Sequence, residues 1–273
     1  MPELPEVETV KEVLKRQVLN ETINHVHVFY DKIVSYPTKK EFIKKIEGQT
    51  ITAIERRGKW LLFILSEDIL LSHLRMEGRY YLKEEKEMPT KHDHVVFSFV
   101  SGRELWYRDT RKFGRMYLYE KENINEKKPL NELGLEPWDK ALTPLYLKDK
   151  FSRKNIPIKT VLLDQSIVVG CGNIYADEVL FLSKIHPLTK ANLLQEKELE
   201  ILIESIKCIL EKAIQLGGTT IKSYESSEGV HGRFQNELGI HGRKNCSVCG
   251  GEVIKIIVGG RGTYYCPNCQ KEK

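Results

Sequence analysis

The sequence predicts an α+β protein: a β-rich N-terminal part led by one helix, a helical middle, and a metal-stapled C-terminal hairpin. Short β-branched or aromatic-rich segments fall at 25–30, 50–56, 60–65, 69–74, 79–82, 95–100, 105–107 and 116–119, separated by turn residues such as Gly58, Gly78 and Ser101-Gly102. Helical spacing then dominates from Leu145 to Leu216. Near the end, Cys246, Cys249, Cys266 and Cys269 stand as two C-x2-C pairs with sixteen residues between them.

The chain opens MPELPEVETV, and Val7, Val10, Leu14 and Val18 recur at helical spacing. That predicts a helix from near Pro5 to about Asn20, with Pro5 in the first turn and carboxylates at the positive end of its dipole. Helix grammar does not explain Pro2. An initiator Met before a small residue such as proline is commonly trimmed, which leaves a secondary amine at the chain terminus. An α-amino group titrates near ~8 and lysine near ~10.4, so far more of the terminal amine is unprotonated at neutral pH. Attack by such an amine on a sugar or aldehyde carbon gives an iminium, which acidifies the neighbouring C–H and invites elimination. Glu3 and Glu6 are candidate proton-transfer groups beside it.

The spacing of the β segments fits a two-layer sandwich or barrel. A polar stretch, 120–128, leads to a boundary expected between 125 and 140. Gly217-Gly218 closes the helical region, and 219–241 reads as a long loop, which in a compact protein marks function or disorder.

At 273 residues the chain has room for two domains and a small module. Its 41% hydrophobic and 30% charged content is that of a water-soluble protein, and no apolar run approaches the ~20 residues of a membrane span. Acids stand where a secretion signal would be basic, so an intracellular protein is expected. The net charge is +5, and the segment from His231 onward carries +4 of it. Arg56, Arg57 and Lys59, and then Arg108, Arg111, Lys112 and Arg115, form further basic clusters, a distribution that points to nucleic acid.

Four soft ligands on two-residue spacers suit tetrahedral zinc, and disulfides are the poorer explanation inside a cell. Between the pairs, 253–258 and 263–265 read as strands around Gly259-Gly260-Arg261-Gly262. Arg261 would thus sit at a glycine-flanked tip, suited to a phosphate. Gly170 and Gly172 run into an amphipathic segment, 173–182, and such a turn offers free N–H groups to an anion. Cys171 and Cys208 lie outside the zinc set and read as buried small residues. His73-Leu74-Arg75-Met76-Glu77-Gly78 places Met76 at an apparent strand end, and Asp109-Thr110-Arg111-Lys112-Phe113-Gly114 places Arg111 and Phe113 in a turn. Singly, Met76 and Phe113 read as core residues; exposed together beside basic residues, they would be wedges that enter a base stack.

MPELPEVET, RGKWLLF, HLRMEG, DTRKFG, GCGNIYADEVL, GGTT and the four-cysteine finger occur in this order over nearly the whole length. In this the chain resembles the bacterial formamidopyrimidine-DNA glycosylases (the Fpg/MutM family). Leu4 favours this branch over the related endonuclease VIII type, whose chains begin with glycine there. The resemblance implies an N-terminal β-sandwich with flanking helices over 1–130, a helix-two-turn-helix domain with a lesion-capping loop over 131–240, and a zinc-finger hairpin over 241–273, with DNA between the halves. It implies a monomeric, cytoplasmic base-excision-repair enzyme carrying one structural zinc. That enzyme would bind double-stranded DNA containing an oxidised base or abasic site, excise 8-oxoguanine and formamidopyrimidines, and nick by β,δ-elimination.

By this likeness Pro2 is the Schiff-base nucleophile, Glu3 the main acid/base group, and Lys59 and Lys159 assist at the lesion or its phosphates. Met76, Arg111 and Phe113 fill the gap left by the flipped base, Asn173 and Arg261 grip phosphates, and the loop from Thr219 to about Phe234 closes over the base. Glu6, His73, Tyr175, Thr219, Thr220 and Tyr224 are further DNA-contacting candidates. Cys171, Lys112 and His241 depart from the family's pattern, and the segment before Cys246 looks about two residues short. Rival readings are an oxidised-pyrimidine glycosylase, a catalytically silent DNA-binding homologue, and a zinc-ribbon module on an unrelated domain, the last leaving the first 120 residues unexplained.

Overall fold

The computed structural model describes residues 2–84, 87–219 and 232–272. The chain divides into two units, one built on Met1–Pro2 and Glu6–Asn131, the other on Glu3–Pro5, Glu132–Thr219 and Arg233–Lys273.

In the first unit, helix α1 (Leu4–Val18) turns Val7, Val10 and Leu14 inward at the expected spacing. The strands are β1 (Ile23–Val28), β2 (Val34–Tyr36), β3 (Ile51–Arg57), β4 (Trp60–Leu65), β5 (Asp68–His73), β6 (Arg79–Lys83), β7 (Asp93–Phe99), β8 (Glu104–Arg108) and β9 (Arg115–Glu120). They form a four-stranded sheet ordered β1-β7-β8-β6 and a five-stranded sheet ordered β2-β9-β5-β4-β3. All pairings are antiparallel except β2 with β9. One core joins Ile54, Phe63 and Leu70 of one sheet to Val95, Phe97 and Leu105 of the other, with Leu14 of α1 packed in. This is the expected sandwich.

Helix α2 (Lys39–Ile46) and the short β2 fall between the segments at 25–30 and 50–56, where the sequence reading placed no element. The stretch KKEFIKKI has no alternation, and its buried Phe42 and Ile46 lie one helical turn apart. The Thr38 hydroxyl accepts the Glu41 N–H at 3.4 Å while the Glu41 carboxylate accepts the Thr38 N–H at 3.2 Å, a capping box legible as T-x-x-E.

The second unit contains α3 (Pro144–Phe151), α4 (Ile158–Leu162), α5 (Asn173–Leu182) and α6 (Glu196–Gln215). Helix α6 buries Leu199, Leu202, Ile203, Ile206, Leu210 and Ala213 along one stripe. The expected amphipathic character of α5 is corrected: Tyr175 through Phe181 are all buried, so this helix runs through the interior. Cys171 is buried as expected, whereas Cys208 is exposed on the outer face of α6.

Strands β10 (Ile254–Val258) and β11 (Arg261–Tyr265) pair antiparallel from Val258 opposite Arg261. Gly259 and Gly260, with φ of +55° and +74°, supply the left-handed pair that a two-residue hairpin turn requires. Arg261 is therefore the first residue of the returning strand and not part of the turn, and it is exposed. Of the long loop, residues 220–231 lie outside the described residues, Thr220 and Tyr224 among them. The chain rejoins at Arg233 and Phe234, whose N–H groups reach the carbonyls of Leu216 and Gly218 at 2.8 and 3.0 Å.

Candidate functional site

The second unit carries the Gly172 turn and the zinc hairpin. The anion at the start of α5 is internal: Glu3, only 4% exposed, accepts the N–H groups of Gly172 at 2.6 Å and Ile174 at 3.3 Å. A methyl group on Gly172 would run into that carboxylate, so the glycine is a requirement of close approach. Asn173 gives its amide N–H to the Gly262 carbonyl at 2.8 Å, tying the start of α5 to the zinc hairpin.

Lys159 is fully buried and ion-paired to the equally buried Asp177, and it also donates to the Asn173 carbonyl at 2.7 Å. Burial lowers its pKa from the ordinary lysine value, against the opposing pull of Asp177 and Glu3. With no exposed atom, Lys159 pins structure, which argues against the phosphate contact expected of it. Asp177 also takes the His241 ring Nδ1 at 2.6 Å and the Tyr264 N–H at 3.2 Å. Next to it, buried Glu178 accepts the backbone N–H groups of Gly239, Ile240 and His241 at 2.7, 3.1 and 2.8 Å. Tyr175 is buried against Phe234, and its hydroxyl accepts the Thr219 N–H at 3.3 Å, so it positions the loop's first residue.

The sulfur atoms of Cys246, Cys249, Cys266 and Cys269 lie within 4.8 Å of one another, with Cys249–Cys266 at 3.5 Å and Cys246–Cys269 at 3.8 Å. Tetrahedral zinc with bonds of about 2.3 Å requires sulfur–sulfur edges of about 3.8 Å. The donor set fits one structural zinc and, with all positions taken by cysteine, leaves none open for a reactant.

In the first unit Met76, Arg111 and Phe113 are exposed and adjacent. Arg111 Nη1 lies 3.0 Å from Met76 Sδ, and its guanidinium covers the Phe113 ring at 4.7 Å. Neither Met76 nor Phe113 is the core residue each would be singly. Asp109, wholly buried, shapes their turn by accepting the N–H groups of Arg111, Phe113 and Gly114 at 2.8–2.9 Å. Lys112 adopts φ +58° and lays its ammonium 4.9 Å from the Tyr30 ring.

His73 is buried at the end of β5, edge-on to Trp60, and its Nδ1 accepts the Arg75 N–H at 2.9 Å, which assigns the ring proton to Nε2. Burial, with the positive charges of Arg75 and Lys59, lowers its pKa from 6.5 to about 3. Lys59 follows Gly58 in the β3–β4 turn and is 6% exposed. Arg56 braces that turn through Glu8 at 2.7 Å and the Gly58 carbonyl at 3.0 Å. Burial raises the Glu8 pKa, but hydrogen bonds from Lys11 and Arg56 outweigh it and hold the carboxylate below its ordinary value. Glu8 is thus a tertiary partner as well as a first-turn acid. Pro2 and Glu6 are buried.

Family models match in chain order: the formamidopyrimidine-DNA glycosylase N-terminal domain over residues 1–116, the formamidopyrimidine-DNA glycosylase H2TH domain over 133–225, and a zinc finger found in FPG and IleRS over 243–271. The chain is 47% identical to the formamidopyrimidine-DNA glycosylase of Cytobacillus firmus, over 99% of this chain and 100% of that one. It belongs to the formamidopyrimidine-DNA glycosylase family. The formamidopyrimidine-DNA glycosylase of Bacillus subtilis (strain 168) is 46% identical over the full length of both chains. Among solved structures, this family member matches Lactococcus lactis Fpg in complex with DNA containing an abasic site, at 40% identity and a TM-score of 0.92, over 99% of this chain and 100% of that one. The same values hold for L. lactis Fpg (MutM) in complex with N7-benzyl-Fapy-dG DNA.

Sequence reasoning missed Asp109, Asp177 and Glu178 as residues that shape these turns. Only the adjacent acids inside the apolar run of α5 carried a signal, since buried carboxylates need partners.

The neutral His73 has a pH consequence. Its pKa is about 3 in the fold and near 6.5 once unfolded, so the unfolded chain binds the extra proton between those values. Stability from this group is full above pH 6.5 and is lost as pH falls toward 3. His73→Gln should reduce proton uptake on unfolding near pH 5 by close to one; an unchanged uptake would show His73 protonated in the fold. Elemental analysis should find one zinc per chain, and Cys266→Ala should lose it together with the folded hairpin.

Proposed function

We propose that this chain is a bifunctional base-excision-repair enzyme that excises oxidised purines from duplex DNA and then cleaves the abasic strand. Glu3 carries the reading: a carboxylate one residue from Pro2, held on backbone N–H groups at the start of a buried helix. Pro2, freed of Met1, attacks C1′ of the extruded nucleotide; the C1′–N bond breaks and the base departs with its electron pair and a proton. Glu3 takes up the N–H proton that Pro2 loses on attack and hands it to O4′ as the C1′–O4′ bond breaks, so the sugar opens and leaves an iminium between Pro2 and C1′. Loss of a proton from C2′ then expels the 3′ phosphate, and a second elimination expels the 5′ phosphate.

Met76, Arg111 and Phe113 fill the vacated space, with Arg111 facing the orphaned base. Lys59 and Arg261 act on phosphates, and Asn173 aligns Arg261 through the Gly262 carbonyl. The zinc keeps the Arg261 hairpin folded and takes no part in the reaction. The functional parts are 1–130, 131–240 and 241–273, with Thr219, Thr220 and Tyr224 at the base-covering loop. The enzyme works as a monomer on cytoplasmic DNA, since one nucleophile per chain suffices; among the described residues no helix is long and apolar enough to cross a membrane.

Borohydride trapping on a duplex with 8-oxoguanine opposite cytosine should crosslink at Pro2, and Pro2→Gly should trap on the order of 10²-fold less. Binding without trapping or cutting by the wild-type protein would leave a silent DNA-binding homologue. Gly172→Ala displaces the Glu3 carboxylate and should cut excision on the order of 10²-fold at nearly unchanged melting temperature. Full activity in that variant would remove Glu3 from the mechanism.

A further inference from the structure

We propose that Tyr107 is a positioning residue that locks the Met76 turn and the Arg111–Phe113 turn into one wedge. The inference rests on the reading of these side chains as the group that fills the gap behind the extruded base.

Tyr107 stands on β8, wholly buried, with its ring edge-on to Tyr80 at 5.2 Å. Among the described residues its hydroxyl has no hydrogen-bond partner. An unpaired buried hydroxyl costs free energy, and phenylalanine would fill the same ring space without that cost. The oxygen therefore has a task of shape. It abuts the bare Cα atoms of both Gly78 and Gly114, and a methyl group on either glycine would overlap it. Gly78 closes the turn that carries Met76, its N–H on the Leu74 carbonyl at 2.9 Å. Gly114 closes the turn that carries Arg111 and Phe113, its N–H on Asp109 at 2.8 Å.

One buried atom thus sets the spacing of two loops that are far apart in sequence. Above it the loops are joined again, by the Thr110 hydroxyl donating to Glu77 and by Arg111 lying against Met76. A base stack must be entered by all the inserted side chains at one depth. Loops that moved separately would each open it only partly.

The test uses the full-length, zinc-loaded Tyr107→Phe protein. One duplex carries 8-oxoguanine opposite a cytosine analogue that brightens when unstacked; a second carries a preformed abasic site, which has no base to extrude. Tyr107→Phe should melt at or above the wild-type temperature, brighten about tenfold more slowly and excise correspondingly more slowly. Its cleavage of the abasic duplex should stay within about twofold of wild type. Gly114→Ala should slow brightening as well, and by a smaller factor in the Tyr107→Phe background, because the oxygen that a Cβ would meet at 1.7 Å is gone and only the ring carbon at 2.7 Å remains in the way. Wild-type brightening in Tyr107→Phe overturns the proposal, as does a parallel fall in melting temperature and abasic cleavage, which is a purely structural role. If the wild-type protein itself neither brightens nor excises, the proposed activity fails and this inference falls with it.

Discussion

A carboxylate withdrawn from water needs donors, and Glu3 finds them in the backbone N–H groups that open α5. The turn that leads into α5 serves that arrangement. Gly172 must lack a side chain for the carboxylate to approach, and Gly170, at φ +102°, turns the chain into the helix while its carbonyl accepts the Leu4 N–H at 3.2 Å. Gln165 braces the same turn, donating to the Cys171 carbonyl at 2.9 Å and accepting the Gly170 N–H at 2.9 Å. The helix N-terminus that other proteins offer to a phosphate is used here to hold the Glu3 carboxylate.

The same economy recurs wherever a loop must hold a shape. Asp109 organises the Arg111–Phe113 turn, Glu178 the 239–241 segment, and Asp177 gathers Lys159, His241 and the zinc hairpin. Each is a buried acid saturated by donors, and removing one partner would strand a charge in the interior. His241, a departure from the family's pattern, keeps a polar link to Asp177 and packs on Tyr264 at 4.8 Å. Cys171 is accommodated as a buried small residue, and Lys112 spends its charge over the Tyr30 ring.

The zinc cysteines, most strands and the helix at the N-terminus were legible because each leaves a local trace: paired spacing, β-branched runs between turns, or a 3.6-residue period. α2 left its trace in a capping box that went unread beside a run of strands. The exposed cluster of Met76, Arg111 and Phe113 could be suspected from HLRMEG and DTRKFG, yet whether Met76 and Phe113 face core or solvent is settled by sheet pairing, which no local pattern carries.

By itself, the sequence determined the α+β class, the zinc set, the family, and Pro2 and Glu3 as the residues of interest, since each rests on residue type at close spacing. The tertiary structure decided what those residues meet: that the anion on α5 is Glu3, that Lys159 is buried on Asp177, that His73 is neutral, and that Tyr107 touches both Gly78 and Gly114. These facts depend on contacts between positions distant in the chain, whose burial and partners arise only when the chain has folded.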